Sequence, residues 1–271
     1  MNGFEIRLEI ARSARRPTRG SSAASSHALA AGGRKPVSAH ERRTSVSGKP
    51  LVVLVHGAIE RSVGFASVVE QLPDFNVVVY DRRGHGYRWR EGHATLDGDI
   101  DDLIGVLGER VATVVGHSLG GLVVLGAALR RPELFEAVGL YETAIPWEEW
   151  WTDRERTAML EEIERNAEAA RGGRPDERAQ AEVAWTSCRQ EVLEALRAPF
   201  RWRDLAVPVT TGCGAESESR SARDARLVAA FFGGEAVVLP GADHRAHRTN
   251  PAAFADFVRR SHLFGRIRIR R

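Results

Sequence analysis

One serine of the chain lies in a five-residue motif, Gly-His-Ser-Leu-Gly at residues 116–120, between an apolar run and a helix-like segment. The run Ala112 to Val115 has the β-branched, apolar character of a buried parallel strand, and Gly120 to Arg130 has the pattern of a buried helix. A direct turn from strand to helix holds the serine in a strained conformation, and flanking glycines let the neighbouring backbone pass close by. The motif therefore predicts a strand, a sharp turn and a helix, with the serine hydroxyl held clear of the sheet.

Short apolar runs alternate with helix-length segments from Leu51 onward, which is typical of βαβ units in a parallel sheet. Ligands bind such sheets at the carboxyl ends of the strands, so we expect functional residues directly after each strand. The predicted strands are Leu51 to Val55, Asn76 to Tyr80, Ala112 to Val115, Ala137 to Tyr141, Val207 to Gly212 and Ala236 to Leu239.

A long segment, residues 143–204, interrupts this alternation and contains five of the six tryptophans. Its middle is charged and amphipathic, with a Gly-Gly-Arg-Pro break, which predicts a small helical cap that packs by one face on the sheet. The tryptophans either fix the cap to the body or line a pocket. The candidates for substrate binding are Trp147, Trp150, Trp151 and Trp185.

Both ends of the chain are basic. Residues 1–50 carry ten Arg or Lys against three Glu, and residues 266–271 carry four Arg. Because these ends lack interleaved aromatics and any nucleic-acid module, we expect flexible extensions and no nucleic-acid partner. Alternating apolar residues from Gly3 to Ile10 could still add an edge strand. We expect that removing residues 1–40 leaves a soluble, active protein.

Composition restricts the expected location. No apolar run approaches the length of a membrane span, and the first 50 residues lack the apolar core of a secretory signal. The two cysteines, Cys188 and Cys213, lie far apart, which fits a reducing compartment. We therefore expect a cytoplasmic protein with no membrane partner.

Four motifs follow one another along the chain: LVVLVHG at 51–57, YDRRGHG at 80–86, VVGHSLGG at 114–121 and LPGADH at 239–244. With these motifs the chain resembles the capped, single-domain serine hydrolases of the α/β-hydrolase fold superfamily over residues 51 to 263. The resemblance implies an α/β fold, in which a mostly parallel sheet is flanked by helices and a small helical cap is inserted after the sixth strand. It implies a core of residues 51–142 and 205–265. The two strands that precede LVVLVHG in the family are not evident.

The serine needs a base, because a hydroxyl is a poor nucleophile at neutral pH. His244 follows a predicted strand and a Pro-Gly turn near the end of the chain, so Ser118 and His244 are the predicted nucleophile and base. His247 is the alternative base. His117 is interpreted as a packing or pocket-lining residue. His56 and His85 match motif positions that support loops.

The acid of the triad has three candidates. In most members of the family that this chain resembles, the acid follows the penultimate strand, and Ser217 occupies that position here. Glu142 directly follows the predicted strand Ala137 to Tyr141 and is the favoured acid, because certain relatives take their acid from that place. Glu216 and Glu218, which flank Ser217, are the alternatives.

The remaining predictions concern the oxyanion hole, metals and activity. Backbone N–H groups of Ala58 and Leu119 are the expected oxyanion donors. No metal site is predicted, because His244-x-x-His247 lacks a third clustered ligand, and no cofactor is expected.

The predicted activity is hydrolysis of a carboxylic ester or related acyl compound through an acyl-Ser118 intermediate.

The alternatives that use the same residues are a carbon-carbon bond hydrolase, a thioesterase, an acyltransferase and a perhydrolase. A non-catalytic member that binds a ligand is the alternative from another class. The expected partner is a small-molecule substrate, and the chain is either a monomer or a homodimer. A serine nucleophile argues against haloalkane dehalogenase and epoxide hydrolase chemistry, which need a carboxylate nucleophile.

Overall fold

A six-stranded parallel sheet forms the centre of the computed structural model, which describes residues 48–170, 175–197 and 201–269. Its strands lie in the order β2-β1-β3-β4-β5-β6, and every neighbouring pair is parallel. All residues of β1, β3 and β5 are buried, as expected where helices cover both faces of a parallel sheet. The strands are Leu51–Val55 (β1), Asn76–Val79 (β2), Ala112–His117 (β3), Phe135–Tyr141 (β4), Val209–Gly214 (β5) and Ala236–Leu239 (β6).

Helices pack on the two faces through separate apolar clusters. One cluster joins the sheet to α2 and α3, and the other joins it to α1 and α8. No helix in the described parts of the chain combines the length and apolar character that crossing a bilayer requires. The helices are Ala66–Glu70 (α1), Leu96–Leu107 (α2), Gly120–Arg130 (α3), Asp153–Ala170 (α4), Pro175–Arg197 (α5), Ser219–Phe231 (α6), Ala246–Thr249 (α7) and Pro251–Ile269 (α8).

The six predicted strands are present; β1 and β6 have the predicted bounds, and the other four have shifted ends. The fifth strand was predicted from Val207 but begins at Val209. Pro208 lies immediately before it, and proline has no N–H to donate to a sheet; its carbonyl accepts from the N–H of Val138 instead. The strand then continues to Gly214, which pairs with Leu239 of β6.

The cap helices α4 and α5 lie between β4 and β5, and α5 contacts α2. The prediction of an insertion after the sixth strand is therefore wrong for the described residues, where the insertion follows the fourth. The difference arises at the start of the chain, because the family's two preceding strands have no counterpart in the residues described.

The C-terminal end of the chain differs from the predicted flexible tail in the residues that the structure describes. Helix α8 runs to Ile269, so the first four residues of the predicted flexible tail, 266–269, are helical. Arg266 lies near the end of this helix, where a basic residue suits the partial negative charge of a helix C-terminus. Residues 1–47, including the edge strand considered for Gly3 to Ile10, lie outside the described residues, as do 270–271.

Candidate active site

Ser118 occupies the predicted turn between β3 and α3 with a φ of 52°, in the left-handed region that non-glycine residues rarely adopt. Its N–H donates to the carbonyl oxygen of Tyr141 at 2.8 Å, which continues the pairing of β3 with β4. A Cβ on Gly116 would lie 2.5 Å from Gly121 Cα, and one on Gly120 would lie 2.4 Å from the carbonyl oxygen of Val55. Only glycine fits at these two positions, so the sequence holds the serine in its strained conformation.

His244 and Glu142 form a hydrogen-bonded pair at the same edge of the sheet. His244 Nδ1 lies 2.9 Å from Glu142 Oε2, and the Glu142 side chain is only 2% exposed. Burial alone would raise the pKa of Glu142, but hydrogen bonds from His244, the Gly214 N–H and the Ser217 hydroxyl together lower it to about 2. Glu142 is therefore ionised, and His244 presents Nδ1–H to it.

Glu142 is fixed by contacts from β5 and the loop that follows. The N–H of Gly214 donates to Glu142 Oε1 at 2.9 Å, and the Ser217 hydroxyl donates to the same oxygen. Ser217, which stands where the family resemblance usually places the acid, thus binds the carboxylate of Glu142. Glu216 and Glu218 are exposed, and neither contacts His244 among the described residues.

His117, the residue before Ser118, contacts the backbone of His244. His117 Nε2 lies 2.7 Å from the carbonyl oxygen of His244, which connects the turn of the serine to the loop of the histidine. Among the described residues, no hydrogen bond joins Ser118 Oγ to His244, and Nε2 of His244 has no hydrogen-bond partner. Catalytic hydrogen bonds are often long in unliganded structures and tighten when substrate binds.

The loop after β1 lies directly against the serine. The carbonyl oxygen of Gly57 accepts from His56 Nδ1 at 2.9 Å and from Arg82 Nη2 at 3.2 Å. Since the C=O and N–H of a trans peptide point in opposite directions, the Ala58 N–H faces away from these donors. A Cβ on Gly57 would lie 3.0 Å from Ser118 Cβ. Ala58 and Leu119, the predicted oxyanion donors, therefore flank the serine, and their role stays a prediction.

His56 supports this loop, as the sequence interpretation held. Its Nε2 accepts from the N–H of Arg82 at 3.0 Å, so Nδ1 carries the ring proton that Gly57 accepts. Burial, followed by the charge of Arg82, lowers the pKa of His56 to about 4. The His56 ring is therefore neutral, and each of its two nitrogens makes a hydrogen bond.

A fully buried arginine connects the loop after β1 to the cap. Arg82 Nη1 lies 2.9 Å from Asp99 Oδ2 of α2 and 2.6 Å from Glu191 Oε1 of α5. Burial raises the pKa of Glu191 well above its usual range against the opposing charge of Arg82. Sequence reasoning missed these three residues. The only signal was the position of Arg82 inside the motif at residues 80–86.

Glu60 and two histidines form a second cluster beside the site. Glu60, His117 and His247 offer three ligand atoms within 4.8 Å of one another, and two histidines with one carboxylate can bind a transition metal. However, Glu60 Oε2 lies 2.8 Å from His117 Nδ1, and a metal would have to displace the proton between them. The sequence interpretation missed Glu60, because no local pattern connects it to residue 117.

The predicted substrate-binding tryptophans have packing roles in the structure. Trp151 and Trp185 are buried, while Trp147 and Trp150 pack against the larger apolar cluster. A cavity of about 390 Å³ lies beside Glu60, His247 and Arg248, and one of about 550 Å³ lies beside Pro208 and Phe231. Neither is lined by any of the four tryptophans. The packing of the four tryptophans therefore favours a role in attaching the cap to the body, and substrate binding by them stays a prediction.

A serine at a strand-to-helix turn, with a carboxylate and a histidine after later parallel strands, defines an α/β-hydrolase type of site. A model of the alpha/beta hydrolase family matches residues 52–257. The chain belongs to the alpha/beta hydrolase family.

The chain is similar to several known proteins. It is 30% identical over 109 residues to lipase LipV of Mycobacterium tuberculosis, covering 39% of this chain and 42% of LipV, so the match spans less than half of that relative. It is 26% identical to the 2-(acetamidomethylene)succinate hydrolase of Mesorhizobium japonicum, covering 74% of this chain and 84% of that protein. NosK from Streptomyces actuosus has a similar structure, with a TM-score of 0.62 at 25% identity over 79% of this chain and 99% of NosK.

Proposed function

We propose that the protein is a serine hydrolase that cleaves a carboxylic ester or related acyl compound through an acyl-Ser118 intermediate. The observation that carries this proposal is the 2.9 Å contact between His244 Nδ1 and the buried carboxylate of Glu142. Since Nδ1 donates to Glu142, Nε2 of His244 is the basic nitrogen, and it is the atom that can accept the proton of the serine. Hydrolase activity in two relatives, LipV and the Mesorhizobium enzyme, supports the same class.

The proposed reaction has two half-reactions. His244 Nε2 takes the hydroxyl proton of Ser118 as Oγ attacks the acyl carbon, and the N–H groups of Ala58 and Leu119 bind the oxyanion. The intermediate then breaks its bond to the leaving group, which receives the proton from His244. A water molecule, deprotonated by the same nitrogen, attacks the acyl-enzyme and releases the acid, which restores the Ser118 hydroxyl.

Three variants and a panel of p-nitrophenyl esters test this proposal. We expect Ser118→Ala to abolish turnover, and Glu142→Gln to lower kcat by about 10⁴-fold, since replacing the acid by its amide costs about that much in serine proteases. Glu216→Gln is the matched control, because it makes the same chemical change on an exposed side chain nearby, and we expect it to retain wild-type activity. Full activity in Glu142→Gln would assign the acid elsewhere.

Labelling with a fluorophosphonate separates the alternative activities. Stoichiometric labelling of Ser118 without ester turnover would indicate another acyl or carbon-carbon substrate on the same residues. Absence of both labelling and turnover in folded wild-type protein would overturn the proposal in favour of a ligand-binding role.

A further inference from the structure

Glu60 contacts three separate parts of the active site. Its Oε2 accepts from the N–H of Gly57 at 2.7 Å and lies 2.8 Å from His117 Nδ1. Its Oε1 lies 3.3 Å from His247 Nε2. One carboxylate thus reaches the loop after β1, here called the oxyanion loop because it holds the proposed donor Ala58, as well as the residue beside Ser118 and the short helix α7 that follows His244.

The neighbours of His117 determine its protonation. Its Nε2 lies 2.7 Å from the carbonyl oxygen of His244, and a carbonyl oxygen can only accept, so Nε2 carries a proton. Its Nδ1 faces Glu60 Oε2, an oxygen that already accepts from the N–H of Gly57. A glutamate is ordinarily ionised at neutral pH, and the hydrogen bond from a backbone N–H favours that form. An ionised carboxylate has only acceptors, so Oε2 also accepts from Nδ1. Both nitrogens of His117 are therefore donors, and the ring is an imidazolium.

The surrounding charges agree with this assignment. Burial would raise the pKa of Glu60, but the charge and hydrogen bond of His117 hold it well below its usual range. Burial would lower the pKa of His117, but the charge and hydrogen bond of Glu60 outweigh it and raise it. Burial, followed by the charge of His117, lowers the pKa of His247 to about 3. The cluster therefore holds one cation and one anion at neutral pH.

We propose that Glu60 and His117 form a permanent ion pair that positions the oxyanion loop and the base of the triad around Ser118. This inference rests on the proposed hydrolase function. Glu60 holds the Gly57 peptide from the N–H side, and His117 holds the backbone of His244. Neither residue touches the reacting atoms, so both are positioning residues.

An amide cannot replace the carboxylate of Glu60 in this arrangement. If the amide turned its oxygen toward Gly57 and His117, the imidazolium would lose its counter-charge. If it turned its NH₂ group that way, His117 would become neutral and the N–H of Gly57 would lose its acceptor. In either orientation of the amide, Glu60→Gln therefore removes the ion pair with His117, while it keeps the size of the side chain.

The first test is the protonation of His117 in the unmodified protein, measured by ¹⁵N NMR correlation of the histidine ring nitrogens with their protons. We expect both ring nitrogens of His117 to carry protons at pH 7.5, and His247 to be neutral. A neutral His117 in wild-type protein would overturn the proposal, whatever bond the enzyme hydrolyses. This measurement needs neither enzyme activity nor a variant, so it does not depend on the proposed function or on the folding of a mutant.

The second test is kinetic and uses the ester substrate established by the panel. We expect Glu60→Gln to lower kcat by about 10- to 100-fold with a smaller change in KM, because small displacements of catalytic groups cost about that much. Glu70→Gln, on an exposed face of α1, is the matched control and should leave kcat unchanged. If the pair acts as a unit, the double variant with His117→Gln loses no more activity than the more damaging single variant.

Two results in this second test would contradict the inference. Wild-type kcat in folded Glu60→Gln would show that the pair has no positioning role. Additive losses in the double variant would show that the two residues act separately. Absence of both Ser118 labelling and ester turnover in folded wild-type protein, by contrast, would refute the proposed function and leave the NMR result intact.

Discussion

Two residues at the candidate active site, Ser118 and Glu142, have φ values of 52° and 48°. Such strained conformations persist only when the surrounding structure enforces them, and they concentrate at functional sites. At Ser118 the enforcement comes from the flanking glycines. At Glu142 the backbone N–H is held by the carbonyl oxygen of Gly212 at 2.9 Å, and the side chain is held by the β5 loop.

Ser217→Ala tests the support of Glu142 at the scale of one hydroxyl. The change removes one of the hydrogen bonds that keep the pKa of Glu142 low, and a hydrogen bond to a charged group contributes about 1.5–3 kcal/mol. We expect kcat/KM for the ester to fall by about tenfold, with Ser219→Ala, an exposed serine in the first turn of α6, as control. Unchanged kcat/KM would mean that Gly214 and His244 suffice to hold the acid.

At the scale of elements, the sequence predicted the strands better than the side-chain contacts that join the loops and the cap to the sheet. Ser118, Glu142 and His244 were chosen as candidates because each follows a strand, and the structure brings them to one edge of the sheet, where the carboxyl ends of parallel strands meet. Glu60 and His117 lie 57 positions apart, and Arg82 and Glu191 lie 109 apart. No local periodicity encodes such pairs, because they depend on how the loops and cap fold back onto the sheet.

The buried cluster of Arg82, Asp99 and Glu191 makes the docking of α5 testable. Burial raises the pKa of Glu191 well above its usual range, which favours the neutral acid, and a glutamine side chain is a close mimic of that form. We expect Glu191→Gln to change the free energy of unfolding in urea by less than about 1 kcal/mol. Arg82→Met should cost about 3–5 kcal/mol, because it leaves a buried charge unpaired. Equal losses in both variants would show that Glu191 is ionised.

At the scale of the whole molecule, buried histidines make stability depend on pH. Four of the buried histidines in the described residues have lowered pKa values, chiefly because burial disfavours the charged ring, and one has a raised pKa. The four are His56, His85, His247 and His262.

The sign of the effect follows from proton binding. Below about pH 6.5 the unfolded chain binds protons at these four rings while the folded protein does not, so stability is lost as pH falls toward their folded pKa values. His117, whose folded pKa is raised, contributes in the opposite direction, with stability that is present below about pH 6.5 and lost as pH rises through its folded pKa. Four outweigh one.

We therefore expect the free energy of unfolding to fall as pH is lowered from 7 to 4.5. Each neutral buried histidine contributes at most about 1.4 kcal/mol per pH unit in this range. Urea denaturation followed by circular dichroism at several pH values measures the change. A flat profile would mean that the unfolded chain and the folded protein bind equal numbers of protons between these pH values.

The contact between Ser217 and Glu142 has a consequence for how such a site can evolve. The ends of β4 and β5 are neighbours, and side chains from both meet at the oxygen that faces away from His244. A carboxylate on either strand is therefore within a side chain's length of the same imidazole. With Glu142 as the proposed acid, a lineage can gain the second carboxylate before it loses the first, so the acid can move from the end of one strand to the end of the next without an inactive ancestor.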